Sequence, residues 1–170
     1  MNEIDSLSAK LGQKLSKLGW TITTAESCTG GGISSAITEV AGSSAYFQRA
    51  FITYSNEAKA EMLAIPLDSI NSNGAVSKYT VEAMAQGAIK AANANVAIAV
   101  SGVAGPTGGS DDKPVGTVWM SIVIQYSLDN KIKSTVYSQC FIFDGDRKEI
   151  RLKTIKSSLN KVLEMIGENS

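Results

Sequence analysis

The sequence predicts an α/β fold, a mixed β-sheet covered by helices on both faces and closed into a single three-layer domain over residues 1–170. Three observations carry this expectation. Strand-like apolar runs alternate with helix-period segments as far as residue 101, two β-rich runs joined by a short polar turn then follow, and a hydrophobic content of 44% in 170 residues suffices for one sizeable core.

Taken in order, Ile4, Leu7, Leu11, Leu15 and Leu18 recur at helical spacing and predict an amphipathic first helix. Residues 20–25 read as a strand. The run Glu26-Ser27-Cys28-Thr29-Gly30-Gly31-Gly32 makes a flexible turn, and a helix resumes to about Val40. A loop at Ala41-Gly42-Ser43-Ser44 precedes a strand at residues 49–54, after which Ser55 or Asn56 caps a helix carrying Glu57, Lys59 and Met62 and ending at Pro66. The polar run Asn71-Ser72-Asn73-Gly74 reads as a turn, and Ser77 caps a helix to about Ala92. Residues 95–101 form a buried strand. The next stretch, 102–116, holds five glycines and two prolines, too many for the interior of an element, and reads as a long loop. Residues 117–126 and 132–143 form a hairpin about Leu128-Asp129-Asn130-Lys131. Asp146 and Glu149 make a capping box for a last helix that presents Ile150, Ile155, Leu159, Val162, Leu163 and Ile166 on one face, with Gly167 as its stop signal.

Composition excludes several functions. Sixteen basic residues balance sixteen acidic ones, so the chain lacks the basic field that nucleic acid or an anionic membrane would recruit. Apolar runs are strand-length and the amino terminus carries Glu3 and Asp5 with no apolar signal core, which predicts a cytoplasmic protein. There is no histidine. A Ser-His-Asp triad, a Cys-His pair and a histidine-held metal are therefore ruled out for this chain acting alone, and Cys28 and Cys140 suggest neither a disulfide framework nor a zinc site.

In an open α/β sheet, ligands sit beyond the carboxyl ends of strands, where the Ser27 turn and the Gly102 loop both begin. Ser27, between a strand and three glycines, can expose its hydroxyl near backbone N–H groups able to hold an oxyanion, although the same position suits a serine that merely caps a helix. Lys59 is the candidate base, because a lysine withdrawn from water gives up its proton more readily; on spacing alone it equally suits a solvated helix face. Tyr54 could relay or orient a proton, or be a half-buried strand aromatic. Cys28 is a rival nucleophile if a helix N-terminus or Lys59 lowers its pKa, and otherwise a small buried apolar residue. The loop Gly102-Val103-Ala104-Gly105-Pro106-Thr107-Gly108-Gly109 fits neither the dinucleotide fingerprint nor the phosphate-binding P-loop. Arg147 lies in the first turn of the last helix, where a cation opposes the helix dipole, and this placement suggests a task such as holding a phosphate or carboxylate.

Together Thr24-Ala25-Glu26-Ser27-Cys28-Thr29-Gly30-Gly31, Ala41-Gly42-Ser43-Ser44, Thr53-Tyr54-Ser55-Asn56-Glu57-Ala58-Lys59, Gly74-Ala75-Val76-Ser77, Ser101-Gly102-Val103-Ala104-Gly105-Pro106, Lys113-Pro114-Val115-Gly116-Thr117-Val118-Trp119 and Gly145-Asp146-Arg147 resemble the CinA carboxy-terminal-domain family over nearly the whole chain. The resemblance implies hydrolysis of the carboxamide of nicotinamide mononucleotide to nicotinic acid mononucleotide and ammonia, with no metal or organic cofactor. It implies Ser27, Lys59 and Tyr54 as the catalytic set. Thr29, Gly30, Gly31, Ser43, Ser44, Gly102, Gly105 and Arg147 fall at the substrate, with oxyanion donors near Thr29 to Gly31 and the phosphate held away from Lys59 by Arg147. It also implies a homodimer. A non-catalytic module that only holds a nucleotide or a partner is the competing reading, and such a module has no need of a nucleophile beside a base.

Overall fold

The first helix, α1 (Glu3–Leu18), is fixed at its start by Asn2, whose side chain takes the Asp5 N–H while the Asp5 carboxylate takes the Asn2 N–H. It ends at Gly19, where φ of +65° gives the left-handed cap that glycine adopts without strain. In the computed structural model, which describes residues 2–168, this helix is followed by β1 (Ile22–Glu26), α2 (Gly32–Thr38), a 3-10 turn at Ser43–Ala45, β2 (Phe51–Ile52), α3 (Asn56–Leu63), α4 (Leu67–Asn73), α5 (Lys78–Ala92), β3 (Val96–Gly102), the hairpin β4 (Thr117–Leu128) and β5 (Lys131–Ile142), and α6 (Arg147–Glu168). The strands form one sheet in the order β2-β1-β3-β4-β5. β1 runs parallel to β2 and β3, whereas β4 and β5 run antiparallel, so the sheet is mixed as the sequence predicts.

Helices cover both faces. Leu11 and Leu15 of α1, Ile33 and Ile37 of α2 and Leu159 and Val162 of α6 pack on Ile22, Ile98 and Met120. On the opposite face Val81, Met84, Ala88 and Ile89 of α5 meet Ala25, Ala97, Ala99 and Val123. The small side chains of β1 and β3 allow α5 to lie close, and α5 in turn seats α3. Gly87 touches that helix so closely that a Cβ there would stand 2.3 Å from the Leu63 carbonyl oxygen.

The departures from expectation are local. The strand expected over residues 49–54 shrinks to Phe51–Ile52, because β2 is an edge strand pairing only with Ala25 and Glu26 before the chain turns into α3. α4 replaces part of a predicted turn: Pro66 starts it, Asp68 lies in its first turn, and Ile70 is its one buried side chain. Gly167 does not stop α6, which continues to Glu168. The hairpin turns on Asp129 and Asn130, both at positive φ, in the two-residue manner that suits twisted strands. Among the described residues no helix is long and apolar enough to cross a membrane.

Candidate active site

Ser27 and the Gly102 loop leave the carboxyl ends of adjacent parallel strands, β1 and β3. The Ser27 N–H donates to the Val100 carbonyl at 3.1 Å, which extends the ladder by one residue and presents the hydroxyl just beyond the sheet. α3 supplies Lys59 from the side. Ser55 caps that helix, its hydroxyl accepting the Ala58 N–H at 3.0 Å, so Lys59 falls one turn in and its side chain reaches back over the strand end.

The Lys59 amine is 3.1 Å from Ser27 Oγ, 2.9 Å from the Thr53 carbonyl oxygen and 3.2 Å from the Tyr54 carbonyl oxygen. Lys59 is only 1% exposed, and burial drives its pKa below the ordinary lysine value. No carboxylate forms an ion pair with it among the described residues. The Ser55 carbonyl oxygen lies farther off at 3.5 Å; a neutral amine can give its two N–H groups to the nearer Thr53 and Tyr54 carbonyls and turn its lone pair to the Ser27 O–H.

Ser27, Tyr54, Lys59, Gly102, Gly105 and Arg147 line one cavity of about 290 Å³, so the structure brings these expected residues together. Tyr54 takes part differently from the expectation. Its backbone carbonyl meets Lys59, whereas its phenol, on a side chain that is 60% exposed, accepts from Arg147 Nη2 at 2.9 Å. Arg147 Nη1 donates to the Gly105 carbonyl at 2.8 Å, and the guanidinium thereby ties the two sides of the cavity mouth together. Cys28 also lines the cavity, but burial first and the Glu26 charge second push its thiol up to about 11, so it stays protonated.

Five expected residues do not line the cavity. Ser43 and Ser44 adjoin Tyr46, whose carbonyl bonds the N–H of Ile22 at the start of β1, roughly 13 Å of strand from the Ser27 end. The N–H of Gly30 donates to the Ser27 carbonyl and that of Gly31 to the Glu26 carboxylate, so both groups are already engaged. Thr29 stays in the turn, its hydroxyl 2.6 Å from Glu26 Oε2.

Glu26 is the residue that sequence reasoning missed. Its fully buried carboxylate accepts from the hydroxyls of Thr24, Thr29 and Ser34 and from the N–H groups of Gly31, Ile33 and Ser34. α2 begins at Gly31 without a side-chain cap of its own, so Glu26 satisfies its first turn from the neighbouring strand and offsets its dipole. The available signal was an acid at the end of a strand, five residues ahead of a helix whose cap position is glycine. Replacing Glu26 by Ala strands several buried donors and is expected to lower unfolding free energy by roughly 2–4 kcal/mol, measured by denaturant titration. An unchanged midpoint would show that water replaces the carboxylate at no cost.

A protein-family model for the CinA C-terminal domain matches residues 4–166. The chain is 46% identical over 165 residues to a nicotinamide-nucleotide amidohydrolase PncC from Pseudomonas putida, covering 97% of this chain and 98% of that protein. It is 43% identical over 169 residues to the protein of the same name from Escherichia coli strain K12, covering 99% and 98%. Among solved structures, the competence/damage inducible protein CihA from Agrobacterium tumefaciens superposes with a TM-score of 0.86 at 40% identity over 96% of each chain.

Proposed function

The chain belongs to the CinA C-terminal domain family, and from that premise we propose that it is an amidohydrolase converting nicotinamide mononucleotide and water to nicotinic acid mononucleotide and ammonia by Ser-Lys catalysis. One observation carries the catalytic part: a buried amine, ringed by backbone carbonyls, stands 3.1 Å from a serine hydroxyl in a substrate-sized cavity.

Lys59 takes the Ser27 proton as Oγ attacks the carboxamide carbon. The tetrahedral intermediate collapses as the lysine ammonium protonates the leaving nitrogen, and ammonia departs from an acyl-serine ester. Lys59, neutral again, removes a proton from water; the hydroxide adds to the ester, and Ser27 leaves with the proton returned. With Gly30 and Gly31 engaged, steadying the oxyanion passes to the far wall, the Gly102 to Gly105 loop that Arg147 fixes. Tyr54 contributes its carbonyl to Lys59 and its phenol to Arg147. No group of three or more His, Cys, Asp or Glu side chains suited to a metal occurs among the described residues. A cytoplasmic setting and a homodimer belong to the proposal on family grounds.

Ammonia and nicotinic acid mononucleotide formed in equal amounts from nicotinamide mononucleotide by the purified protein test the reading; absence of both rejects it in favour of a binding module. The pH profile tests the base. Since burial lowers the Lys59 pKa, kcat/KM should rise with pH and level off above a pKa lower than an ordinary lysine's, because the protonated amine cannot accept from Ser27. The same shift has a folding counterpart. Between the lowered folded pKa and the ordinary unfolded one, the unfolded chain binds more protons, so stability rises with pH across that window, and Lys59→Met should flatten the rise. A kcat/KM profile with no acid limb would remove Lys59 as the base.

A further inference from the structure

Among the described residues, the reaction cavity holds a single side chain able to take a proton from an incoming nucleophile. Arg147 keeps its charge at any working pH, and two of its N–H groups are committed to Tyr54 and Gly105. The Cys28 thiol, raised to about 11, stays protonated, and the Tyr54 phenol oxygen is occupied by Arg147. No Asp, Glu or His lines the cavity among the described residues. Ser101 and Thr107 bring hydroxyls, and the rest of the lining beyond Ser27 is alanine, valine and glycine. That leaves Lys59, its amine 3.1 Å from Ser27 Oγ and held against the Thr53 and Tyr54 carbonyls at 2.9 and 3.2 Å.

A single base shapes the second half of the reaction. When the tetrahedral intermediate collapses, the departing nitrogen lies beside the Lys59 ammonium and takes a proton from it. By microscopic reversibility the same contact can deliver a nitrogen: a neutral amine in the vacated position donates its N–H to the Lys59 lone pair while its own lone pair meets the ester carbon. Water has to use this position too, because no second side chain is placed to hold and deprotonate a water of its own. Preference for water over an amine therefore comes from water's concentration and not from a device in the site. Arg147 lends the cavity a fixed positive charge that disfavours an ammonium ion, so the amine enters neutral.

We infer that the protein is also an acyltransferase, passing the acyl group of the mononucleotide from Ser27 to small neutral nitrogen nucleophiles, of which hydroxylamine is the probe. The inference rests on the Ser-Lys amidohydrolase reading. In the transfer a C–N bond forms to the ester carbon and the bond from that carbon to Ser27 Oγ breaks. One N–H proton passes through Lys59 to Oγ, and the products are the hydroxamic acid of the mononucleotide and free enzyme. Nothing is oxidised or reduced.

The test is turnover of nicotinamide mononucleotide by the wild-type protein in hydroxylamine at about 0.2 M, with ammonia, nicotinic acid mononucleotide and hydroxamate each quantified. Hydroxamate should form at least about a tenth of the acyl product, and acid and hydroxamate together should equal the ammonia released. Because Lys59 serves both nucleophiles, the ratio of hydroxamate to acid, corrected for the neutral fraction of hydroxylamine, should stay within about twofold as pH falls along the acid limb of turnover. Ser27→Ala should yield no hydroxamate. Ammonia released with the acid as sole product overturns the inference and leaves the amidohydrolase reading in place. A corrected ratio that drifts with pH overturns it too, since it would reveal a second base reserved for water, and so does hydroxamate formed equally by Ser27→Ala, which would place the transfer in free solution. Release of no ammonia, with or without hydroxylamine, rejects the amidohydrolase reading and the transfer with it.

Discussion

Ser27→Ala should lower ammonia release by about three orders of magnitude or more, whereas Cys28→Ala should retain activity within about tenfold. The asymmetry follows from protonation and position. Ser27 Oγ has an amine 3.1 Å away to take its proton, while the neighbouring thiol, 5% exposed and raised to about 11, lacks an ionised form at neutral pH. Deleting the serine hydroxyl removes no core volume, so circular dichroism and the melting transition should match wild type. Deleting the thiol leaves a small void in the core beneath α2, worth on the order of 1 kcal/mol of stability but little chemistry. Activity lost with Cys28→Ala and kept with a folded Ser27→Ala would reverse the assignment of nucleophile.

Lys59→Arg should fail nearly as badly as Lys59→Ala, each losing about two to four orders of magnitude in kcat. Arginine preserves charge and cannot be deprotonated, so it separates a base from a cation that only attracts substrate. Its fork is also larger than the space between two carbonyls and a hydroxyl. Lys59→Met supplies a neutral chain of similar length, and a folded but inactive Met variant would rule out collapse of the site as the cause. Because nucleophile and base act in one step, Ser27→Ala combined with Lys59→Met should be scarcely slower than either change alone. A Lys59→Arg protein with near-normal kcat would leave Lys59 an electrostatic role only.

Where periodicity or turn chemistry was strong, the fold was legible in the chain. The spacing of Leu7, Leu11 and Leu15, the Ser77 cap and the Asp129-Asn130 turn each specify an element locally, and each forms as expected. β2 and α4 were not legible in full, because an edge strand with two paired residues and a helix with one buried side chain owe their existence to neighbours distant in sequence. The candidate site divides in the same way. Ser27, Lys59, Tyr54, Gly102, Gly105 and Arg147 meet at one cavity, but which atoms meet depends on tertiary geometry: the Tyr54 carbonyl toward Lys59, its phenol toward Arg147. Ser43 and Ser44 share the chain with the site and not its end of the sheet. Glu26 escaped notice because half of its partners are backbone N–H groups, which carry no sequence signature.

Lys59 is seated by main-chain oxygens rather than by side chains, and this changes where the protein is vulnerable to drift. Substituting the side chain of Thr53, whose own buried hydroxyl has no partner, leaves the carbonyl that receives the amine in place. Basicity is thus inherited from the route of the backbone and is buffered against exchange of the residues nearest to it. The exposure to damage moves instead to the packing that holds that route. At Gly87 a single added methyl group would press on the end of α3 and shift the lysine from behind, so a residue with no chemistry of its own should be among those that selection guards most closely.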